Sequence, residues 1–313
     1  GENASLIENT GSIGSSAADN TGIAALNDNT LNIATNITNS GSIVLGNGGT
    51  GIYGENSVIS NTGNITVGNK SAAGDAAGIF GKDSTVTNTG DISVGQDGAA
   101  FAGDNSIINL NGGNFDVSKG SLVYGTNNTV VNYNLGNQTS TGTKAYITLN
   151  NSILNSANPG ILTVENGGTG VFVSGNTGNI TGNMVIKAGN NSNGVYVKNL
   201  GTIYKNNIEI AADGVSSRGI VLENTDGENA GSIKVNNTAA GIFSHFIDSV
   251  NTSLVNNGTV EVNAVSGIGI YASATDGTGM VLGNTTIENN GTITLGNSTD
   301  INSDSQIGIY GTA

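Results

Sequence analysis

Residues 51–68 read GIYGENSVISNTGNITVG, and residues 78–95 read GIFGKDSTVTNTGDISVG. A near-copy at a short interval constrains a chain more than any isolated motif, because every copy must bury its apolar residues against the same kind of surroundings. One anchor, Asn-x-Gly-x-(Ile/Val/Phe), opens at Asn9, Asn39, Asn61, Asn88, Asn111, Asn176, Asn199, Asn229, Asn256 and Asn289. Its glycines Gly11, Gly41, Gly63, Gly90 and Gly113 recur every 22–30 residues, and the longer gap from Gly113 to Gly178 hides degenerate copies. A second anchor, Gly-(Ile/Val)-aromatic, stands at Gly51-Ile52-Tyr53, Gly78-Ile79-Phe80, Gly170-Val171-Phe172, Gly194-Val195-Tyr196, Gly241-Ile242-Phe243, Gly269-Ile270-Tyr271 and Gly308-Ile309-Tyr310.

Between the two anchors lies a third short run, such as Ser84-Thr85-Val86-Thr87. Each unit therefore holds three stretches of alternating, β-branched-rich residues separated by Gly/Asn turns. Strands this short cannot bury a face alone, and no unit carries a 3.6-residue apolar period. Stacked coil upon coil they can: each strand pairs in parallel with its copy one turn later, and like residues form ladders about 4.8 Å apart. The pattern predicts an all-β fold, a parallel β-helix (solenoid) of about a dozen coils of roughly 22–30 residues, with residues 1–313 as a single segment of it.

Strand alternation assigns the faces. Ile13, Ile43, Ile65, Ile92, Ile233 and Ile293 are expected to form one inward aliphatic ladder, with Thr, Ser and Asp outward. Asn61, Asn88 and their equivalents fall at a corner, where a stacked amide can bond to the copies above and below and tolerate left-handed backbone.

Composition narrows the function classes. The chain has 50 Gly, one Pro and no Cys, yet 36% of its residues are apolar and regularly placed, which separates it from disordered low-complexity sequence. Nine Lys and Arg against 23 Asp and Glu give a formal charge of −14, which repels phosphate backbones and anionic lipid surfaces, so nucleic acid and membrane surfaces are not expected partners. The absence of Cys removes disulfides and thiolate metal sites, and it suits passage through an oxidising compartment. No apolar run approaches the ~18 residues of a spanning helix. The opening GENASLIENTGSIG lacks the regions of a signal peptide and matches the repeat from Gly54 onward with one residue inserted, while the chain ends near the GIYG phase. The chain is therefore expected to be cut from a longer array.

The N-T-G-x-I-x-V-G and G-I-[YF]-G units, with the Gly/Asn/Thr/Ser/Ile composition, the missing Cys and the acidic charge, resemble the passenger of a type V autotransporter, in particular the large outer-membrane adhesins of Gram-negative anaerobes. The likeness covers nearly the whole chain and is weakest from Asn127 to Gly168. It implies a right-handed β-helix, and a longer parent with an export signal and a C-terminal membrane barrel absent from this chain. It also implies a place on the cell surface, and attachment to host-cell or bacterial surface receptors, glycans among them. No cofactor or metal is implied.

Residues able to do chemistry are few. His245 is the only histidine, and its neighbour Ser244 should point to the opposite face of a strand, which argues against a Ser-His-Asp arrangement with Asp248. Polysaccharide lyases and tailspike glycosidases on this architecture use grooved carboxylates, and the densest acidic patch here is Glu223-Asn224-Thr225-Asp226-Gly227-Glu228, near the one arginine, Arg218. Asp226 and Glu228 are its candidate contact residues, but the patch lacks an EF-hand spacing, and a solvated loop is the plainer account. The glycine run Gly46–Gly51 lacks the helix and Lys of a phosphate cradle and reads as a turn.

Two features stand above this background. Repeat-length variation gathers at the corner before each Gly-Ile, with long versions at Ser71–Ala77, Ala211–Arg218, Asn236–Ala240 and Asn297–Gln306, and such insertions decorate the binding face of a solenoid. In addition an aromatic follows the β-branched residue at Tyr53, Phe80, Phe101, Tyr124, Phe172, Tyr196, Phe243, Tyr271 and Tyr310. Parity places these rings outward as a stripe able to bind sugars or proteins, and the alternative is an inward aromatic core if a corner after the ring breaks the alternation. The expected function is adhesion, not catalysis. The alternatives are a β-helical polysaccharide hydrolase or lyase, and an inert spacer.

Overall fold

The computed structural model describes residues 5–26, 33–245, 252–264, 266–273, 285–296 and 306–312. Among them it contains strands and turns but no helix, and the strands pair in parallel as the stacked turns of a β-solenoid. Two compact units divide the chain, one of residues 1–135 and 146–155, the other of residues 136–145 and 156–313. The division falls inside the stretch from Asn127 to Gly168 where the repeat is weakest.

One turn of the first unit shows how the sequence is used. It comprises an amide strand, Ser57–Asn61, an aliphatic strand, Asn64–Val67, and a ring strand, Ala77–Lys82. Each pairs in register with the same strand of the next turn: Asn61 with Asn88, Ile65 with Ile92, Ile79 with Phe101. The aliphatic strands form a five-stranded sheet in this unit, and a seven-stranded sheet in the second.

The aliphatic ladder forms as alternation requires. Ile13, Ile43, Ile65 and Ile92 are consecutive partners in the first unit, and Ile233, Val260 and Ile293 in the second. Ile43, Ile65, Ile92 and Ile233 are fully buried, whereas Ile13 and Ile293 are only half-buried. Each buried isoleucine contributes roughly 1.5–3 kcal/mol by leaving water, so the thin core gains its stability from repetition.

The corner asparagines stack as a buried amide column. In the first unit Asn9 Nδ2 donates to Asn39 Oδ1 at 2.7 Å, Asn39 to Asn61 at 2.6 Å, and Asn61 to Asn88 at 2.7 Å. In the second, Asn206, Asn229, Asn256 and Asn289 continue the same donation at 2.7–2.8 Å. The register corrects three of the sequence anchors. Asn88 pairs with Leu110, not Asn111, and Leu110 pairs with Tyr133, so the first column ends in two apolar rungs. Likewise Ile180 is the partner of Asn206, which leaves Asn176 and Asn199 exposed outside the column. The Tyr133 hydroxyl is buried with no hydrogen-bond partner among the described residues.

Left-handed backbone is found elsewhere than expected. The column asparagines are not in it; positive φ occurs at the turn between ring strand and amide strand, as at Asn56 (45°), Asp83 (50°), Asn105 (51°), Asn199 (49°) and Asn224 (50°), and at the turn before the ring strand, as at Asp19 (58°), Asp97 (59°), Asn191 (55°) and Ser216 (55°). Asn and Asp tolerate this region best among residues with a Cβ, so the two roles of asparagine in this chain are carried by different positions. Beside the turn between ring strand and amide strand, Ser84 Oγ accepts the Ser57 N–H at 2.9 Å and Ser106 Oγ the Ser84 N–H at 3.0 Å, a buried hydroxyl column that satisfies the backbone where the ladder bends.

Candidate functional ring face

The ring strands settle which way the aromatics point. In the first unit Ala24, Tyr53, Phe80, Ala102 and Tyr124 share one column, and in the second Phe172, Tyr196, Val221, Phe243, Tyr271 and Tyr310 share another. The preceding residues Ile52, Ile79, Val123, Val171, Val195 and Ile270 are fully buried, whereas Ile309, before Tyr310, is 43% exposed. The rings lie on the outer face: Tyr124 is 47% exposed and Tyr310 42%, and the other rings are half-buried against their neighbours. Phe101 is the exception. It pairs with Ile79 and Val123 and is fully buried, so it belongs to the core and not to the stripe. The signal was Gly103, which aligns with Gly81 and places Ala102, not Phe101, at the ring position.

Because the ladder is in register, successive rings meet face to face. Tyr53 and Phe80 stack with centroids 5.4 Å apart and planes 3° from parallel. In the second unit Phe172 stacks on Tyr196 at 5.6 Å, Phe243 on Tyr271 at 4.9 Å, and Tyr271 on Tyr310 at 5.5 Å. Two residues further along each ring strand comes a charged column: Lys82 Nζ lies 2.7 Å from Glu55 Oε1 in the first unit, and Lys198, Glu223 and His245 follow one another in the second.

Glu223 is the most enclosed of these charges, at 3% exposure. Its carboxylate accepts from Lys198 Nζ at 2.7 Å and from the Tyr196 hydroxyl, and His245 Nε2 lies 3.8 Å away. Burial acts to raise the Glu223 carboxyl, but the hydrogen bonds from Lys198 and Tyr196 and the charges of Lys198 and His245 outweigh it and hold the group below the ordinary carboxylate range. His245 packs against Phe243 with centroids 5.3 Å apart, and burial lowers its pKa, with Arg218 and Lys198 adding to that effect and Glu223 opposing it.

Both shifts act in the same direction on stability. A carboxylate held low in the fold stabilises above its unfolded pKa of about 4.3 and loses that contribution as pH falls through the folded value. A histidine held low in the fold takes up its proton more readily when unfolded, so stability begins to fall below about pH 6.5. The melting temperature is therefore expected to decline on acidification from pH 7.5 to pH 4, and His245→Gln is expected to flatten the upper part of that decline. A profile of the variant that matches the wild type throughout would show that His245 contributes nothing to it.

The acidic patch does not converge. Glu223 faces the ring column, whereas Asp226 Oδ1 accepts the Ser253 N–H at 2.7 Å, and Glu228 accepts from Lys205 at 3.1 Å and from Asn257 at 3.0 Å. Each carboxylate has its own partners. Among the described residues no group of three or more His, Asp or Glu side chains is placed to hold a metal ion. Ser244 is buried while His245 is on the outer face, as alternation requires, and Asp248 lies outside the described residues.

Length variation is not confined to one corner. Before the ring strand, the described connections are four residues at 46–49 and 95–98 but nine at 68–76. Ala211 and Ala212 belong to the preceding strand and are buried, so that connection shortens to 213–217, and most of Asn297–Gln306 lies outside the described residues. After the ring strand, where the connection is one residue at 56, two at 83–84 and 105–106 and three at 127–129 and 224–226, the intervals from Ala25 to Thr35, His245 to Thr252 and Ser273 to Thr285 are long; residues 27–32, 246–251 and 274–284 within them also lie outside the described residues. The period count missed this second corner because it was anchored on the glycines that follow it.

The 68–76 connection is held by its own bonds. Ser71 Oγ donates to Asp19 Oδ1 at 2.5 Å and accepts the Gly74 N–H at 2.8 Å, and Lys70 pairs with Asp75. Together with Phe80, Ala102 and Tyr124 it encloses a cavity of about 290 Å³. No protein-family model, curated protein or solved structure matches this chain.

Proposed function

We propose that this chain is a segment of a bacterial surface adhesin, the passenger of an autotransporter, and that it presents its outer ring face to receptors or glycans on host cells or other bacteria. The observation that carries the proposal is the outward column of stacked aromatics in each unit, bordered by paired charges. Aromatic rings offer large contact area at low entropic cost, and a periodic column repeats a weak contact along the solenoid so that avidity accumulates. The separate pairing of Asp226 and Glu228 supports contact over hydrolysis, since acid catalysis of glycoside cleavage needs two carboxyl groups facing one bond. In this reading the parent protein is held at the outer membrane by a C-terminal barrel.

The purified chain is expected to bind epithelial or bacterial cells. The triple variant Tyr53→Ala, Phe80→Ala, Tyr271→Ala is expected to weaken that binding by at least about tenfold, because exposed rings dominate contact energies, while the circular dichroism spectrum is retained. A chain that binds no cell type, or a triple variant that binds as well as the wild type, would assign this segment to spacing and place the adhesive surface elsewhere in the parent.

A further inference from the structure

The ring column is interrupted once in each unit, and the two interruptions are treated differently. In the second unit Val221 stands between Tyr196 and Phe243. Arg218, three residues earlier on the same strand, lays its guanidinium 4.5 Å over the Phe243 ring, Glu223 takes the Tyr196 hydroxyl, and Val221 is left 1% exposed. The chain fills that gap with its own side chains. In the first unit Ala102 stands between Phe80 and Tyr124, and the residue in the place of Arg218 is Ala99, flanked in its column by Ala77 and Ser121. None of Ala77, Ala99, Ala102 and Ser121 is long enough to fill the gap, and the result is the 290 Å³ cavity, which Lys70 and Asp75 of the inserted loop also line.

We propose that this slot binds a single neutral pyranose ring of a glycan, which deepens the adhesin reading and rests on it. Width comes first. Two turns of a parallel ladder separate the Phe80 and Tyr124 positions by about 10 Å. Tyr271 fills a gap of that width between Phe243 and Tyr310, with centroids 4.9 and 5.5 Å away, so one six-membered ring fits between Phe80 and Tyr124. Size agrees, since a cavity at the lower end of the ~300–1,000 Å³ range of ligand pockets holds one ring and little else.

The lining selects the chemistry. Phe80, Tyr124 and Ala102 present apolar surface to the C–H faces of a sugar, while Lys70, Asp75 and Thr50, which line the same cavity, bring an ammonium, a carboxylate and a hydroxyl as donors and acceptors for vicinal hydroxyls. An aromatic side chain of a protein partner uses the first feature and leaves the second idle. Charge excludes acidic sugars: one Lys70 faces both Asp75 and Asp97 in a chain of net charge −14.

Saturation-transfer NMR on the whole chain tests the slot, with methyl β-glucoside, methyl β-galactoside and methyl N-acetyl-β-glucosaminide as neutral probes, N-acetylneuraminic acid as the acidic one and p-cresol as the flat ring. At least one neutral glycoside is expected to bind with Kd on the order of 1 mM. Ala102→Phe, which completes the stack, and Ala99→Arg, which copies the Arg218 arrangement, are each expected to weaken it at least tenfold, with unchanged circular dichroism. If either variant misfolds, Tyr124→Ala, at an exposed position, removes one wall with the same expected loss. The proposal is overturned if no neutral glycoside contacts the chain at about 10 mM. It is overturned equally if the slot variants bind within twofold of wild type, or if p-cresol or N-acetylneuraminic acid binds more tightly than every neutral glycoside. The same variants on cells separate the two readings: cell binding that persists without glycoside binding removes the slot and keeps the adhesin, and glycoside binding without cell binding does the reverse.

Discussion

Replacing Asn61 by alanine is expected to lower the unfolding free energy by about 2–4 kcal/mol, one of the largest effects available to a single side chain in this fold. Asn61 is 1% exposed and sits mid-column, accepting from Asn39 Nδ2 at 2.6 Å and donating to Asn88 Oδ1 at 2.7 Å and to the Gly63 carbonyl at 3.0 Å. Truncation leaves a buried donor on one side and a buried acceptor on the other, each costing roughly 1–3 kcal/mol. Turns of a solenoid touch only their neighbours, so the damage is local before it is global. Hydrogen exchange should accelerate first at the amides of residues 39–41, 61–65 and 88–92. If both the denaturation midpoint and these exchange rates match the wild type, the amide column is ornamental.

Gly63→Ala is the second. Gly41, Gly63 and Gly90 stack at the bend that follows the amide strand, and a Cβ on Gly63 would lie 2.0 Å from the Gly41 carbonyl oxygen and 2.8 Å from the Ser40 carbonyl carbon. Both obstacles are backbone and cannot swing aside, so the turns must part and the hydrogen bonds between them lengthen. Overpacking of this kind costs on the order of 3 kcal/mol. Gly11 provides the control within the same column: a Cβ there meets nothing within 4 Å, and Gly11→Ala is expected to change stability by less than about 0.5 kcal/mol. Equal effects at Gly11 and Gly63 in a denaturant titration would show that backbone entropy, and not the approach of adjacent turns, explains the repeat glycines.

The sequence made the architecture legible because its period is physical. The Asn, Gly and Ile positions of NTGNI recur since each meets its own copy, and that is why the aliphatic ladder and the amide column are legible in the sequence. What could not be read was the identity of a column where its residue type changes. Asn111 sits one position beyond Leu110 and carries the expected motif, yet the backbone register selects Leu110. Phe101 failed similarly, since an aromatic next to a small residue satisfies either parity until Gly103 fixes the register. The candidate slot was legible only in part. The rings were visible, but Ala102 and the loop residues Lys70 and Asp75 belong to different turns, 32 and 27 residues apart in the chain, and Thr50 and Tyr124 lie 52 and 22 residues from Ala102. Nothing in a local motif joins them.

The interrupted amide column has a consequence for how the chain finds its fold. An array of identical turns has no unique alignment: a strand could pair with the copy two turns away almost as favourably as with its neighbour, and a slipped stack would trap the chain in a near-native compact state. Leu110 and Tyr133 break that degeneracy. A slip of one turn would set the Tyr133 ring directly against Asn88, in the place that the smaller Leu110 takes in the native register. The buried Tyr133 hydroxyl, left without a partner among the described residues, is a small local loss. In exchange the rung acquires an address, and the misaligned states become distinguishable in energy from the correct one.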